Sequence, residues 1–318
     1  MSTDPGENGR RRDRGALRAR LRLPLIVAPM FKVSTPNLVI EACRGGAIGA
    51  FPSLNARTPQ LFEQWIDEIE GALGGDAAFA PYAVNLLMHA SNARFAPDFE
   101  IVKRRRPPIV VASVGRPDAV VGEVHAYGGL VFADVVSLRH ARRAADSGVD
   151  GLILLCAGAG GQTGRLNPFA FVEAVRQFYD GLVIVAGGIT RGYQLRALEA
   201  MRADLAYCGT RFLTATEGSA SPGHRAAVIE ATIDDVWDTD ALTGIPTNVL
   251  RRTLESLGLT PETRWVQQKR SSYDWDAAKI RKDTFSLGHG AGDVAGEECC
   301  RRTLDRLAAE YYSSADST

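Results

Sequence analysis

Gly151-Leu152-Ile153-Leu154-Leu155-Cys156-Ala157-Gly158-Ala159-Gly160-Gly161-Gln162-Thr163-Gly164 carries an apolar run directly into a turn dense in glycine. A buried strand that ends this way brings bare backbone close to something flat or anionic. Glycine alone lacks the Cβ that blocks such an approach, and it tolerates positive φ. The pattern recurs twice downstream. Residues 183–186 end in Gly187-Gly188-Ile189, and residues 205–208 end in Gly209-Thr210. Three successive strands with glycine at their C-terminal ends describe the rim of a ligand site more than a packing motif.

Five further β-branched or apolar runs precede these three, at residues 25–28, 47–51, 82–86, 109–114 and 129–133. Amphipathic stretches at 59–73, 117–127, 137–147, 168–179 and 191–201 alternate with them. Thr58-Pro59 and Asn167-Pro168 each put a capping side chain before a proline at the first helical position. The strand runs are nearly continuous in apolar residues, as parallel strands covered on both faces require. Eight such strands alternating with helices predict an α/β fold of the closed (β/α)8 TIM-barrel type. An open doubly wound sheet fits less well, because the first strand ends in Ala28-Pro29-Met30 and not in G-x-G-x-x-G.

Residues 1–20 read as a disordered basic tail, and 21–214 hold the barrel strands and helices. Residues 215–285, with Trp237, Trp265 and Trp275, show helical patterns and no strand. They predict a helical insertion after the eighth strand, lying over the C-terminal rim where barrel active sites sit. Residues 286–318 then supply a C-terminal barrel segment and a last helix over 297–312.

The bulk composition narrows the function classes. Of 318 residues, 45% are hydrophobic and 23% charged, the balance of an ordinary globular protein. Lys plus Arg (37) equals Asp plus Glu (37), so no net field favours nucleic acid or an anionic membrane. Basic residues cluster locally at 10–22, in the tail, and at 103–106, read as the solvated end of a helix. Five cysteines without metal-ligand spacing argue for a reducing compartment. No apolar stretch reaches the ~20 residues of a bilayer span, and the polar N-terminus lacks a signal-peptide core. A cytoplasmic location and no metal are the expectations.

In barrels the loops after strands seven and eight often bind phosphate through backbone N–H groups and a helix N-terminus. Here they supply Gly187-Gly188 and Gly209-Thr210, which predicts a phosphorylated ligand. The same glycines would also serve in tight βα turns.

With these residues in view, the chain resembles the nitronate monooxygenases, also called 2-nitropropane dioxygenases, which are FMN-dependent (β/α)8 barrels. The matching elements are Ala28-Pro29-Met30 after strand one, Asn85 on strand three, Gly160-Gly161-x-x-Gly164, Ala186-Gly187-Gly188-Ile189 and Gly209-Thr210-Arg211-Phe212. Each falls at a strand's C-terminal end and in the right order. The resemblance runs from about residue 21 to 214 and resumes at Leu287-Gly288-His289-Gly290-Ala291-Gly292. It implies that Ala28, Pro29 and Met30 lie along the flavin ring and that Asn85 meets its polar edge. Gly187, Gly188, Gly209 and Thr210 would hold the phosphate, with Gly160 and Gly161 in the same cofactor-binding set. For Asn85 a satisfied polar residue of the barrel interior is the alternative.

Two departures from that resemblance concern chemistry. Where the family usually carries a histidine in the strand-six loop, this chain has Gln162. An amide donates and accepts hydrogen bonds but takes no proton near neutral pH. Gln162 is therefore expected to bind nitro or nitronate oxygens, with the preformed anion as preferred substrate. Where the family often places a lysine after strand five, this chain has Asp134, which if ionised would oppose electron density on a reduced ring; it is left out of the expected site. His89, just past strand three, is the candidate catalytic histidine, and His289 is as readily structural. His125, His140 and His224 read as structural.

The resemblance implies FMN-dependent oxidation of alkyl nitronates by dioxygen to a carbonyl compound and nitrite, without external NAD(P)H. Met30, Phe31, Leu87 and Met88 suit a small, largely apolar substrate or core packing. Three rivals stay open: an FMN-dependent NAD(P)H:quinone or enoyl reductase, a flavin-binding protein with little turnover, and a flavin-free barrel acting on a sugar phosphate or nucleotide. The expected partners are a small-molecule substrate and dioxygen, with homo-oligomerisation open.

Overall fold

β1 (Leu25–Val27), β2 (Ile48–Pro52), β3 (Tyr82–Leu87), β4 (Ile109–Ser113), β5 (Leu130–Val135) and β6 (Gly151–Leu155) are followed by the two-residue strand β7 (Gly161–Gln162), then β8 (Leu182–Ala186) and β9 (Leu205–Cys208). In the computed structural model, which describes residues 15–74, 79–242, 244–260, 262–263 and 285–314, all but β7 run parallel and close into a barrel. The order is β1-β2-β3-β4-β5-β6-β8-β9, and β9 returns beside β1 with Tyr207 opposite Ile26. The eight expected strands are these eight.

Alternation along each strand splits the apolar side chains into two layers. Ile26, Ile48, Val111, Phe132, Ile153 and Ile184 fill the barrel interior. Val27, Val84, Val110, Val131, Leu152 and Val185 face the surrounding helices. Each fully buried side chain of this size contributes roughly 2 kcal/mol by leaving water. The helix caps form as their sequence requires: Thr58 Oγ1 accepts from Leu61 N at 3.1 Å, and Asn167 Oδ1 from Phe169 N at 2.9 Å.

Three boundaries differ from expectation. Residues 15–19, expected within the tail, are helical, and Leu17 and Leu21 are buried against the interior layer; residues 1–14 lie outside the described residues. The last helix runs Cys300–Ser313, starting where the Cys300 N–H donates to the Glu217 carboxylate at 3.0 Å. It packs between the helices Pro36–Arg44 and Gly192–Ala200, and Gly192 N–H donates to Glu310 Oε2 at 2.7 Å.

The third concerns the insertion, which is not purely helical. Beside the helices Pro222–Glu230 and Arg251–Ser256 it carries β10 (Val236–Thr239) and β11 (Thr247–Leu250). These join β7 in an antiparallel sheet ordered β10-β11-β7, with Thr247 opposite Gln162. Both strands are four residues long and interleaved with Asp238, Thr239, Thr247 and Asn248, so no apolar run marks them. Trp237 lies on β10, whereas Trp265 and Trp275 fall outside the described residues. Among the described residues no helix is long and apolar enough to cross a membrane.

Candidate functional site

The C-terminal ends of the barrel strands frame a cavity of about 490 Å³, roofed by β11 and the segment around Phe285–Leu287. Ala28, Pro29, Met30, Asn85, Gly160, Gly161, Gln162, Gly187, Gly188, Gly209 and Thr210 all line it. Eleven of the twelve expected site residues are thus brought together. His89 is not among the lining residues; its Nδ1 lies 2.7 Å from Ser91 Oγ in the turn after β3.

The wall formed by the loops after β8 and β9 suits an anion. Gly188 has φ 68°, a conformation glycine adopts without strain, and only His289 Cβ would approach a Cβ placed there, at 3.8 Å. The backbone N–H groups of Gly188, Ile189 and Gly209 find no hydrogen-bond partner among the described residues. Three unpaired amides on one concave surface are a nest for phosphate oxygens. Behind them Thr210 Oγ1 accepts from Gly288 N at 2.9 Å and ties the C-terminal segment to the loop. Contact there is tight: a Cβ on Gly160 would sit 2.8 Å from Gly288 N.

At the floor, polar groups form a directed chain. Asn85 Nδ2 donates to Val111 O at 3.1 Å and to Ser113 Oγ at 2.6 Å. A carbonyl can only accept, so the amide orientation is fixed and Oδ1 is left as an acceptor without a partner among the described residues. Such an acceptor matches a ring N–H on a flavin's polar edge. Ser113 passes its own hydrogen to Asp134, whose carboxyl also accepts from Val114 N at 3.4 Å. Val114 stands at φ 55°, an outlier for a β-branched residue. Burial pushes the Asp134 pKa up to about 6 despite these donors. Burial and the Asp134 charge together hold the neighbouring Tyr207 phenol well above its ordinary value. Cys208 also lines the cavity, but burial raises its thiol pKa, so it stays protonated and inert.

The strand-six loop is held from above. Asn248, buried on β11, donates through Nδ2 to Ala159 O at 2.8 Å and Thr163 Oγ1 at 3.3 Å. Thr163 N–H donates to Pro246 O at 3.0 Å. Together with the Thr247–Gln162 pairing, these bonds fix where Gln162 sits on the cavity wall.

His125 and His140 lie outside the cavity, as expected; His125 Nε2 is 2.8 Å from Asp150 Oδ2. His224, read from the sequence as structural, lines the cavity. Its ring stacks on Phe285 at 4.8 Å and 9°, and Nε2 lies 3.3 Å from Ser286 O. Asp134, left out of the expected site, also lies on the wall. Nothing in the sequence places His224 here, since its partners come 61 and 62 residues later. Asp134 did carry a signal, the polar interruption at the end of an apolar strand. Asn248 carried none.

Residues 81–284, almost two thirds of the chain, match the family model described as nitronate monooxygenase. A nitronate monooxygenase of Paraburkholderia phytofirmans is 26% identical over 86% of this chain and 87% of its own length. The nitroalkane oxidase of Streptomyces ansochromogenes superposes with a TM-score of 0.78 at 23% identity, over 95% of this chain and 100% of its own. FabK of Thermotoga maritima superposes at 0.79 and 21% identity, over 96% and 97%. Two structures at such low identity attest the barrel alone. The family match rests on the chain itself, and by it this oxidoreductase belongs to the flavin-dependent nitronate monooxygenase family.

Proposed function

We propose that the cavity binds FMN and that the protein oxidises alkyl nitronates with dioxygen to a carbonyl compound and nitrite. The observation that supports this reading most is the pairing of two preformed features across one cavity. These are the unpaired amides of Gly188, Ile189 and Gly209 on one wall, and the fixed Asn85 Oδ1 acceptor at the floor. A ligand with a phosphate at one end and a ring N–H at the other would satisfy both. Ala28, Pro29 and Met30, at the end of β1, supply an apolar surface on which a flat ring can lie. Bound there, the flavin supplies the electron transfer to and from carbon and oxygen, and the protein supplies orientation and a shaped cavity.

Gln162 acts on the substrate side. Held by β11, its amide N–H can donate to the oxygens of a nitronate, where the anion's charge is concentrated. It takes no proton. Phe31, Leu213, Leu242 and Phe285 make the mouth apolar, which fits a small alkyl chain.

The test is an anaerobic visible spectrum of the purified protein before and after propyl-2-nitronate. Bands near 370 and 450 nm (approximate positions for any bound flavin) that bleach with nitronate are the expected result. Bands that bleach only with NAD(P)H would redirect the reading to a reductase. A protein that takes up no flavin on reconstitution would overturn it.

A further inference from the structure

Gln162 leaves the strand-six loop without a proton acceptor, yet an imidazole stands on the cavity wall, brought by a different segment. His224 is the third residue of the helix Pro222–Glu230, whose cap Ser221 Oγ accepts from His224 N at 3.2 Å. The capped turn fixes the backbone, and the Phe285 stack fixes the ring plane. The connection to Gln162 runs through one strand. Thr247 pairs with Gln162, Val249 two residues on bridges Ser286, and Ser286 O meets His224 Nε2. His224 and Gln162 therefore stand on the same roofed side of one cavity, both lining it.

The hydrogen bonds set the tautomer. A backbone carbonyl can only accept, so Nε2 carries the hydrogen toward Ser286 O, and Nδ1 keeps its lone pair. Nδ1 has no partner among the described residues. Burial lowers the pKa of His224 below 6.5, which keeps the ring neutral at neutral pH, with the Ser286 carbonyl opposing the shift only in part. Among the described residues, neither the 285–287 segment nor β11 carries an ionisable side chain. On its own helix Arg225 is engaged with Glu297 at 3.5 Å, and Lys32, Asp134, Tyr207 and Cys208 are the ionisable side chains elsewhere on the cavity wall.

We infer that His224 is the general base that lets this site accept neutral nitroalkanes as well as preformed nitronates. Nδ1 takes the proton from the carbon bearing the nitro group. The C–H electron pair becomes the C=N bond, and the negative charge moves onto the two nitro oxygens, where the Gln162 amide can donate. No oxidant enters this step. The imidazolium returns its proton to water at the open mouth once product leaves. The inference rests on the nitronate reading and extends it to the substrate's protonated form.

The experiment measures nitrite release by the flavin-loaded protein from 2-nitropropane and, separately, from propyl-2-nitronate. His224→Gln keeps a donor for Ser286 O but no base. It is expected to lower the nitroalkane-to-nitronate ratio of kcat/KM by about 100-fold, the lower end of general-base contributions. In the wild type the ratio should rise with pH through a pKa below 6.5, and a deuterium on the acidic carbon should slow the nitroalkane alone. The pH profile and isotope effect stand even where the variant fails to fold. A ratio unchanged within threefold, or a wild type that oxidises nitronate and ignores nitroalkane, overturns the role of His224 and leaves the nitronate reading intact. Failure with both substrates overturns both.

Discussion

Replacing Asp134 by asparagine should stabilise the flavin-free protein, and by an amount that grows with pH. A carboxyl with a pKa of about 6 in the folded protein, against an ordinary 3.8, is harder to ionise folded than unfolded. The sign is the reverse of an ion-paired aspartate. Below 3.8 the group is protonated in both states and costs nothing. Through the interval to about 6 the unfolded chain ionises first, and above 6 the full cost is present. At ~1.36 kcal/mol per pH unit that cost is about 3 kcal/mol at pH 7.5 and about 1 kcal/mol at pH 4.5. Water inside the open cavity screens the charge, so these are upper figures. Asparagine keeps an oxygen for the Ser113 and Val114 donors and removes the charge. Urea unfolding of both proteins at pH 4.5, 6.0 and 7.5 measures the difference. A variant advantage that widens by about 2 kcal/mol from the first to the last pH is the expected result. A constant difference, or a variant less stable at pH 7.5, would refute the placement of a desolvated carboxyl at the cavity floor.

Gln162→Ala removes a hydrogen-bond donor to a charged group, worth about 1.5–3 kcal/mol, and should lower kcat/KM for propyl-2-nitronate roughly 10- to 100-fold with flavin content unchanged. Gly188→Ala puts a side chain at φ 68°, at a cost on the order of 1 kcal/mol, beside the unpaired amides. It should weaken FMN binding about tenfold while riboflavin binding, measured by fluorescence quenching, changes far less. Asn248→Ala leaves the buried Ala159 carbonyl unpaired and should cost about 2 kcal/mol, seen as a fall of several degrees in the melting temperature and a raised KM for nitronate.

The barrel was readable because its signal is local. Each strand is a short apolar run of its own, and residues such as Val110 and Val111 face opposite layers yet are both buried. The glycine wall was readable for the same reason, since Gly187, Gly188 and Gly209 directly follow the strands that aim them. What escaped depends on contacts between distant segments. β10 and β11 have too few residues to show a period, and they exist because β7 offers a paired edge. His224 takes its place from Phe285 and Ser286, and Asn248 from Ala159. His89 lies outside the cavity lining for a related reason. Being next to a strand end puts a residue at the rim, but the turn through Ser91 decides which way it faces.

The cavity divides its tasks between parts of unequal rigidity. Asn85, Ser113, Asp134 and the glycine amides hang on barrel strands whose ladders run unbroken around the closed sheet. Gln162 and His224 depend on β11, on one bridge to Ser286 and on a nine-residue helix, all outside that sheet. Local opening of a small sheet and a short helix costs less than opening a barrel core. The groups that would hold a cofactor can therefore stay in place while those that would bind substrate and move its proton are released. Mild denaturant should abolish nitrite release from either substrate before it frees the flavin. The physical ground is that the groups proposed to handle substrate depend on the insertion, whereas those proposed to hold the flavin sit on the closed barrel.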